Sequence, residues 1–216
     1  MFSSQPENLG ILCRGKSLLG LSEIEKKFEM CYIVNNFNKE IYHFEDILKK
    51  KEIIHFVNRL KTAVLKKKTY QKFGINTVQM AAPFKLLDKN FMTSYLIYKF
   101  LSLNVKTMSK SFLHKFHFTG KEAYKNKFPN TGILSILYAT EVLNVKNVYI
   151  IGLDFYSLDY LYRSKFSNPL EIQHQKFLDL NMINFFLKYV ENKKDTMFYL
   201  RTGYNFSLVP KNLILI

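Results

Sequence analysis

NTGILSILYATEVLNVKNVYIIGLDFY, residues 130–156, reads as a helix pattern followed by a strand pattern. VYIIGLDFY, residues 148–156, is a near-continuous apolar run, typical of a strand whose two faces are both covered in a parallel sheet. That run ends in a glycine, a carboxylate and a phenol, which are unusual residues for the end of a buried strand. The preceding residues 131–143 are predicted to form a helix, since helical spacing is kept by Ile133, Ile136, Leu137, Thr140 and Leu143.

Strand and helix patterns alternate along the rest of the chain. Residues 171–190 read as a second long helix, and residues 88–120 read as helical or irregular. The alternation predicts an α/β fold, a single Rossmann-like domain over residues 1–216 whose mostly parallel sheet is flanked by helices. The remaining predicted strands are residues 9–14, 31–37, 52–60, 77–87 and 197–203, the last of which is expected to close the sheet.

The charge of the chain is strongly basic. Its 216 residues carry 32 Lys and Arg against 17 Asp and Glu, a net charge of +15, which favours phosphate-bearing partners or an anionic membrane face. Lysine-rich coding accounts for part of this excess, and the KKK runs at 49–51 and 66–68 read first as solvated helix faces. No aromatic residues interleave with these runs as a stacking platform for single strands requires, so nucleic acid is not the favoured partner.

The predicted location is the cytoplasm. Cys13 and Cys31 have neither zinc-site nor disulfide-framework spacing, so a reduced intracellular protein is expected, with one disulfide left open. The N-terminal residues carry no secretory signal, and no run of 18 apolar residues marks a membrane span. The charge leaves room for peripheral association with the inner membrane face.

Polar residues follow the predicted strands, where an open parallel sheet binds its ligands. Glycine lets the backbone approach a phosphate, and Asn offers a donor and an acceptor to a ribose or a pyrimidine edge. The competing interpretation is that Gly and Asn are ordinary turn formers. Their coincidence at several strand ends favours a polar nucleotide cleft, with candidate residues Arg14, Gly15, Ser17, Asn35, Asn58 and Asp154.

Further candidates lie beside the opening stretch. Asn130, Thr131 and Gly132 stand at the start of the first long helix, and Asn130 or Thr131 is expected to cap it. The alternative is that the three residues also bind an anion at the helix N-terminus. His174 opens the second long helix and suits a general base that deprotonates a sugar hydroxyl. His55 alternates within an apolar strand and is predicted to be a core residue. Two interpretations apply to Tyr156, Tyr160 and Tyr162: they lie in a surface turn, or they donate hydrogen bonds to a leaving phosphate.

These motifs resemble the bacterial sialyltransferases of glycosyltransferase family 42, the type that modifies lipooligosaccharide. In that family a [ST]-[ST]-G segment opens a helix, and the following strand ends in S-G-[IL]-D-F-Y, as NTG and GLDFY do here. CRGKSL at 13–18 stands where the family has G-N-G-P-S-L, and VNNF at 34–37 where it has C-N-x-F. Asn58 matches a strand-end Asn, and His174 with Asp179 matches H-x-x-x-x-D. The likeness touches roughly residues 10–205.

The resemblance implies a fold of the GT-A variant type and an inverting glycosyltransferase that needs neither a metal nor a cofactor. Its donor would be a CMP-activated sugar, and its acceptor a hydroxyl of a cell-surface glycan or glycolipid. By the same likeness His174 would be the base, Tyr156 and Tyr162 would hydrogen-bond the departing phosphate, and Gly15, Ser17, Asn35, Asn58 and Thr131 would hold the nucleotide. Two further partners are left open: other copies of the chain in a homo-oligomer, and an anionic membrane that the protein contacts peripherally.

The sequence departs from the family pattern in ways that leave the donor sugar open. Cys13 and Arg14 replace a Gly-Asn pair, and Lys127 is the nearest base to a family Arg that precedes the [ST]-[ST]-G segment. The segment between Tyr156 and His174 is shorter than in the family, which implies a reduced lid at about 157–173 and admits an acidic sugar such as Kdo instead of sialic acid. The alternative function is a catalytically inactive nucleotide- or nucleic-acid-binding α/β protein, for which His174 would be dispensable.

Overall fold

The computed structural model describes residues 6–58, 63–83, 88–116, 129–155, 161–162 and 169–216, and only the backbone within 169–180. Eight strands occur in these ranges: β1 (Asn8–Leu12), β2 (Met30–Val34), β3 (Glu52–Val57), β4 (Thr77–Met80), β5 (Asn104–Thr107), β6 (Asn147–Ile151), β7 (Met197–Arg201) and β8 (Leu213–Leu215). They form one parallel sheet in the order β5-β4-β3-β2-β1-β6-β7-β8. The predicted Rossmann-like α/β fold with a parallel sheet is thereby confirmed.

Helices lie in every connection between consecutive strands except the one from β7 to β8, since parallel pairing needs a crossover that is usually helical. Short 3₁₀ turns, Lys16–Gly20 and Glu25–Lys27, flank the first helix between β1 and β2. The α-helices are α1 (Leu21–Ile24), α2 (Asn38–His43), α3 (Glu45–Leu48), α4 (Lys67–Lys72), α5 (Lys89–Phe100), α6 (Lys110–Lys115), α7 (Thr131–Glu141) and α8 (Pro169–Asn192).

The chain divides into two compact units. The first, unit 1, comprises residues 1–29 and 136–216 and holds β1, β6, β7 and β8. The register places Leu12 opposite Ile151 and Ile151 opposite Arg201, so β1, β6 and β7 end level with one another. Four consecutive residues of β1 and of β6 are buried, as expected for strands covered on both faces.

Unit 2 comprises residues 30–135 and holds β2, β3, β4 and β5. Its strand β2 is buried along its whole length, and Val34 lies opposite Phe56 of β3. Tyr70 of α4 and Tyr98 of α5 meet edge to face under the two helices, and the ring of His55 from β3 lies against both. His55 is fully buried, which confirms its prediction as a core residue.

Several predicted boundaries are corrected by the structure. The tract 88–120 contains a strand, β5, whose exposed and half-buried residues give no apolar run to detect. The predicted strand at 77–87 ends at Met80, and β7 does not close the sheet because β8 lies beyond it. The strand of the opening stretch ends at Ile151, since Gly152 has a φ of +77° and turns the chain out of the sheet. Asp154 therefore comes from a loop.

The predicted single domain with a lid at about 157–173 stays a prediction. Only Leu161 and Tyr162 and the backbone from Pro169 onward fall within the part of that segment that the structure describes. Among the described residues, no helix is both long enough and apolar enough to cross a membrane.

Candidate functional site

In unit 1, the turn that follows β1 is joined by hydrogen bonds to the loop that follows β6. The Cys13 N–H donates to the Ile151 carbonyl at 2.8 Å, and the Gly15 N–H donates to the Gly152 carbonyl at 2.8 Å. The backbone thus continues its pairing past the last strand residues. This places the predicted nucleotide-binding residues Gly15 and Ser17 beside the loop that carries Asp154.

Asp154 organises this strand-end turn from within. Its carboxylate is 4% exposed and accepts hydrogen bonds from the Ser17 N–H at 3.1 Å and the Gly203 N–H at 2.9 Å. It also accepts the Ser17 hydroxyl, whose oxygen lies 3.1 Å from the Arg201 carbonyl as well. Each donor belongs to a segment that follows a strand, so one buried carboxylate connects the ends of β1, β6 and β7. We call this arrangement the Asp154 junction.

Gly15 is required by the Asp154 junction because there is no room for a side chain. A Cβ at this position would lie 2.2 Å from the Asp154 Oδ2 and 2.6 Å from the Gly152 carbonyl oxygen. Its φ of −69° is ordinary, so the requirement is for space and not for backbone freedom. The sequence interpretation of Gly15 as a close-approach residue thus has a structural cause inside the protein, while its contact with a nucleotide stays a prediction.

The loop after Asp154 is fixed by an aromatic cluster. Phe155 has a φ of +44°, unusual for a bulky residue, and is 3% exposed. Its ring packs against Phe186 of α8 and against Tyr204 and Phe206. Packing of the ring offsets the cost of the left-handed backbone, which sets the direction in which the chain leaves Asp154.

Tyr162 lies near the same turn because its neighbour in the chain, Leu161, is hydrogen-bonded to that turn. The Leu161 N–H donates to the Arg14 carbonyl at 2.9 Å, and the Tyr162 side chain is 38% exposed. Arg14 itself is half-buried. The predicted donor Tyr162 is therefore on the side of the turn that solvent reaches, as a donor to a leaving phosphate must be.

Unit 2 holds the predicted asparagines, and these contact each other. Asn35 follows β2 with a φ of +58°, and its N–H donates to the Phe56 carbonyl at 2.8 Å. Its side-chain oxygen accepts the Asn58 N–H at 2.9 Å. The side-chain oxygen of Asn35 is therefore engaged inside the protein, while its two side-chain N–H groups make no hydrogen bond to the described residues.

A buried chain of hydrogen bonds ends at the backbone carbonyl of Asn35. The His55 Nε2 lies 2.6 Å from the Asn35 carbonyl, which can only accept, so this nitrogen carries the proton. The opposite nitrogen, Nδ1, then accepts the Tyr70 hydroxyl at 2.9 Å, and the Tyr70 oxygen accepts the Leu65 N–H at 3.2 Å. Burial lowers the pKa of His55 to about 4, so its ring is neutral near pH 7. His55 supports a candidate residue that sequence reasoning treated as unrelated to it.

The start of α7 is capped by one of its two candidates. The Ile133 N–H donates to the Asn130 side-chain oxygen at 2.9 Å, so Asn130 is the N-cap residue. Gly132 is buried and Thr131 is half-buried. Anion binding by these three residues remains a prediction beside the observed capping.

The structure brings the candidates together in two groups and leaves others undescribed. Gly15, Ser17 and Asp154 meet in unit 1, and Asn35 meets Asn58 in unit 2. Tyr156 and Tyr160 lie outside the described residues, and at His174 and Asp179 only the helical backbone of α8 is described. Sequence reasoning missed Gly203, although the rule about polar residues after parallel strands applies equally to the Thr-Gly pair that follows β7.

Two further kinds of reactive side chain bear on the chemistry of the described residues: the thiols, and side chains that could bind a metal ion. Cys13 and Cys31 are both free and buried. Burial, and for Cys13 also the charge of Asp154, raises the pKa of each thiol to about 12, which makes both of them inert as nucleophiles. No group of three His, Cys, Asp or Glu side chains in the described part of the chain is placed to hold a metal ion, and metal independence stays a prediction.

Comparison with known proteins gives a likeness of fold. No family model matches the chain, and no curated protein matches it by sequence. A solved structure that it resembles is the sialyltransferase CstII from Campylobacter jejuni, in complex with a substrate analogue, CMP-3FNeuAc. The TM-score is 0.55 at 21% sequence identity, covering 95% of this chain and 91% of that one. The chain is thus similar in fold, over nearly its whole length, to a sialyltransferase.

Proposed function

We propose that this protein is a glycosyltransferase that moves sialic acid, or a related acidic sugar, from a CMP-sugar to a hydroxyl of a cell-surface glycan or glycolipid. The proposed reaction inverts configuration and needs no metal. The observation that carries the proposal is the Asp154 junction, a hydrogen-bonded, glycine-containing turn built at the carboxyl ends of parallel strands. The fold likeness to a sialyltransferase, described with a CMP-sugar analogue, supports the choice of donor.

In the proposed binding step, each group contributes a different kind of contact. The turn at Gly15 presents backbone without a side chain, so a phosphate or ribose can approach it closely. The side-chain N–H groups of Asn35, which no described residue accepts, suit a carbonyl or hydroxyl oxygen of the nucleoside. Asp154 does not need to touch the donor, because its buried carboxylate keeps the turn in shape.

In the proposed chemical step, CMP leaves as an anion and the acceptor hydroxyl attacks the opposite face of the anomeric carbon. The bond from the anomeric carbon to the phosphate oxygen breaks as the new glycosidic bond forms, which inverts configuration. Tyr156 and Tyr162 are proposed to donate hydrogen bonds to the developing phosphate charge. His174 is proposed to take the proton of the hydroxyl.

The test begins with isothermal titration of the purified protein with CMP, with UMP and GMP for comparison and EDTA throughout. Selective CMP binding is expected in EDTA. Hydrolysis of a CMP-sugar is then compared between wild type and His174→Ala, with His114→Ala on α6 as the control for loss of an exposed histidine. The expected result is a large fall in the turnover of His174→Ala alone, with CMP affinity retained.

One outcome would overturn the proposal. If CMP does not bind and an RNA oligonucleotide binds tightly with strong salt dependence, the chain is a binding protein of the same fold. In that case His174→Ala would leave the measured binding unchanged.

A further inference from the structure

The positive charge of this protein is concentrated in one of its two units. Residues 30–135 carry 19 basic and 6 acidic side chains, a net +13 of the +15 of the whole chain. Unit 1 is nearly neutral although it is encoded in the same gene. A general preference for lysine codons would load both units alike, so it does not explain the asymmetry.

The asymmetry comes from missing carboxylates as much as from added lysines. Between Glu52 and Glu122 the only acidic residue is Asp88, against 13 Lys and Arg. The side chain of Asp88 is used locally, since it accepts the Phe91 N–H and caps α5. A surface built from this segment therefore carries almost no negative charge to compensate its lysines.

Two helices of unit 2 display this charge side by side. Tyr70 of α4 and Tyr98 of α5 pack against each other beneath the helices, with ring centroids 6.5 Å apart, so α4 and α5 are neighbours on one face of the sheet. Their solvent sides together form a surface that we call the basic helical face. Its exposed lysines are Lys66, Lys67, Lys68, Lys72, Lys89 and Lys99, of which Lys72 pairs with Glu45 of α3.

The basic helical face also exposes large apolar side chains. Leu96 is 58% exposed and Phe100 is 87% exposed, and their i, i+4 spacing puts them on one side of α5. Tyr95 is half-buried next to them, and the Lys99 Nζ lies 5.8 Å from the centre of its ring. Exposed Phe and Leu side chains beside lysines suit an anionic lipid surface, because the apolar groups can enter the headgroup layer while the lysines meet the lipid phosphates.

We propose that the basic helical face of α4 and α5 binds the surface of an anionic lipid bilayer, with Phe100 and Leu96 entering the headgroup layer. Charge complementarity selects an anionic surface, and the apolar pair distinguishes a lipid from a purely polyanionic partner. Nucleic acid fits less well, because Leu96 cannot stack on a base and the described residues of this face offer no row of exposed aromatic rings beside the lysines. The proposal does not depend on transferase activity.

The test is sedimentation of the full chain with lipid vesicles. Vesicles of equal parts phosphatidylcholine and phosphatidylglycerol are compared with vesicles of phosphatidylcholine alone, at several salt concentrations. Binding is expected only to the anionic vesicles, and it should weaken as salt rises. A fluorescent RNA oligonucleotide is titrated in parallel as the competing ligand.

A charge-reversal variant tests the lysines. Lys68→Glu/Lys89→Glu places carboxylates in the first turns of α4 and α5, where they do not oppose the helix dipole. The matched control is Lys26→Glu/Lys27→Glu in unit 1, which has the same net charge and also changes exposed lysines. Since each lysine near an anionic surface contributes about fivefold, partitioning of the first variant should fall about 25-fold or more, and that of the control much less.

A polar substitution tests the apolar pair. Phe100→Ser should lower partitioning by about tenfold, because a partly buried phenyl ring contributes about that much. Leu208→Ser in unit 1 is the control, since Leu208 is 81% exposed, and it should bind as wild type does. The proposal is overturned if both charge variants lose binding equally, if Phe100→Ser has no effect, or if RNA binds tightly while vesicles do not.

Discussion

Replacing Asp154 by Asn tests whether the buried carboxylate holds the strand-end turn together. The substitution keeps the size and shape of the side chain but turns one of its two acceptors into a donor. The described donors to this carboxylate include the Ser17 N–H, the Ser17 hydroxyl and the Gly203 N–H. Either orientation of the amide therefore points an N–H₂ group at an N–H donor.

The cost can be worked out from the two orientations. With its oxygen at the Oδ1 position, Asn keeps Gly203 and the Ser17 hydroxyl and opposes the Ser17 N–H, at a contact of 3.1 Å. A buried donor without a partner costs about 1–3 kcal/mol, and loss of the charge weakens the bonds that remain. The expected loss of folding stability is about 3 kcal/mol.

The assay is urea unfolding followed by far-ultraviolet circular dichroism, because the chain has no Trp to report by fluorescence. Asp195→Asn is the matched control, since it makes the same charge change at a carboxylate that is 58% exposed, and its effect should be below about 1 kcal/mol. A stability of Asp154→Asn within about 0.5 kcal/mol of the control would refute the reasoning. CMP titration of the same variants shows whether the turn must be intact for binding.

Three further predictions follow from single contacts. Gly15→Ala should destabilise by about 1–3 kcal/mol, because its Cβ would lie 2.2 Å from the Asp154 Oδ2, and an unchanged urea midpoint would contradict that clash. The pKa of His55 is about 4 in the folded protein and about 6.5 in the unfolded chain, so the unfolded state binds more protons between these two pH values. The folding stability should therefore fall by roughly 3 kcal/mol as the pH falls from 6.5 to 4. His55→Gln should lack this share of the acid slope, and parallel pH curves for the two proteins would exclude it. Glu23 pairs with both Nη atoms of Arg201, at 2.6 and 2.9 Å, but its side chain is 61% exposed. Glu23→Gln should therefore lower the free energy of unfolding by less than about 1 kcal/mol. A larger decrease in urea unfolding would show that the pair is shielded from solvent.

Periodicity and strand-end composition were sufficient for the class of fold and for much of its order. The apolar runs before Gly15, Asn35 and Asn58 became β1, β2 and β3, because runs of consecutive buried residues are characteristic of strands inside a parallel sheet. Of the residues predicted on the buried face of the helix at 131–143, Ile133, Ile136, Leu137 and Thr140 are buried. The prediction was wrong at the end, because α7 ends at Glu141 and Leu143 lies beyond it, half-buried. Strand β5 was not predicted because it lies at the edge of the sheet, where its residues do not have to be apolar.

The sequence by itself determined which residue types stand at the strand ends, and only the tertiary structure decided what they do there. Asp154 ends an apolar run and so reads as a residue facing a ligand, yet its carboxylate is buried among donors from the segments that follow β1 and β7, which lie far from it in the chain. His55 likewise reads as an isolated core residue, and its link to Asn35 depends on the packing of Tyr70 from α4. Hydrogen bonds between segments distant in sequence leave no periodic signal, because their partners are chosen by how the elements pack.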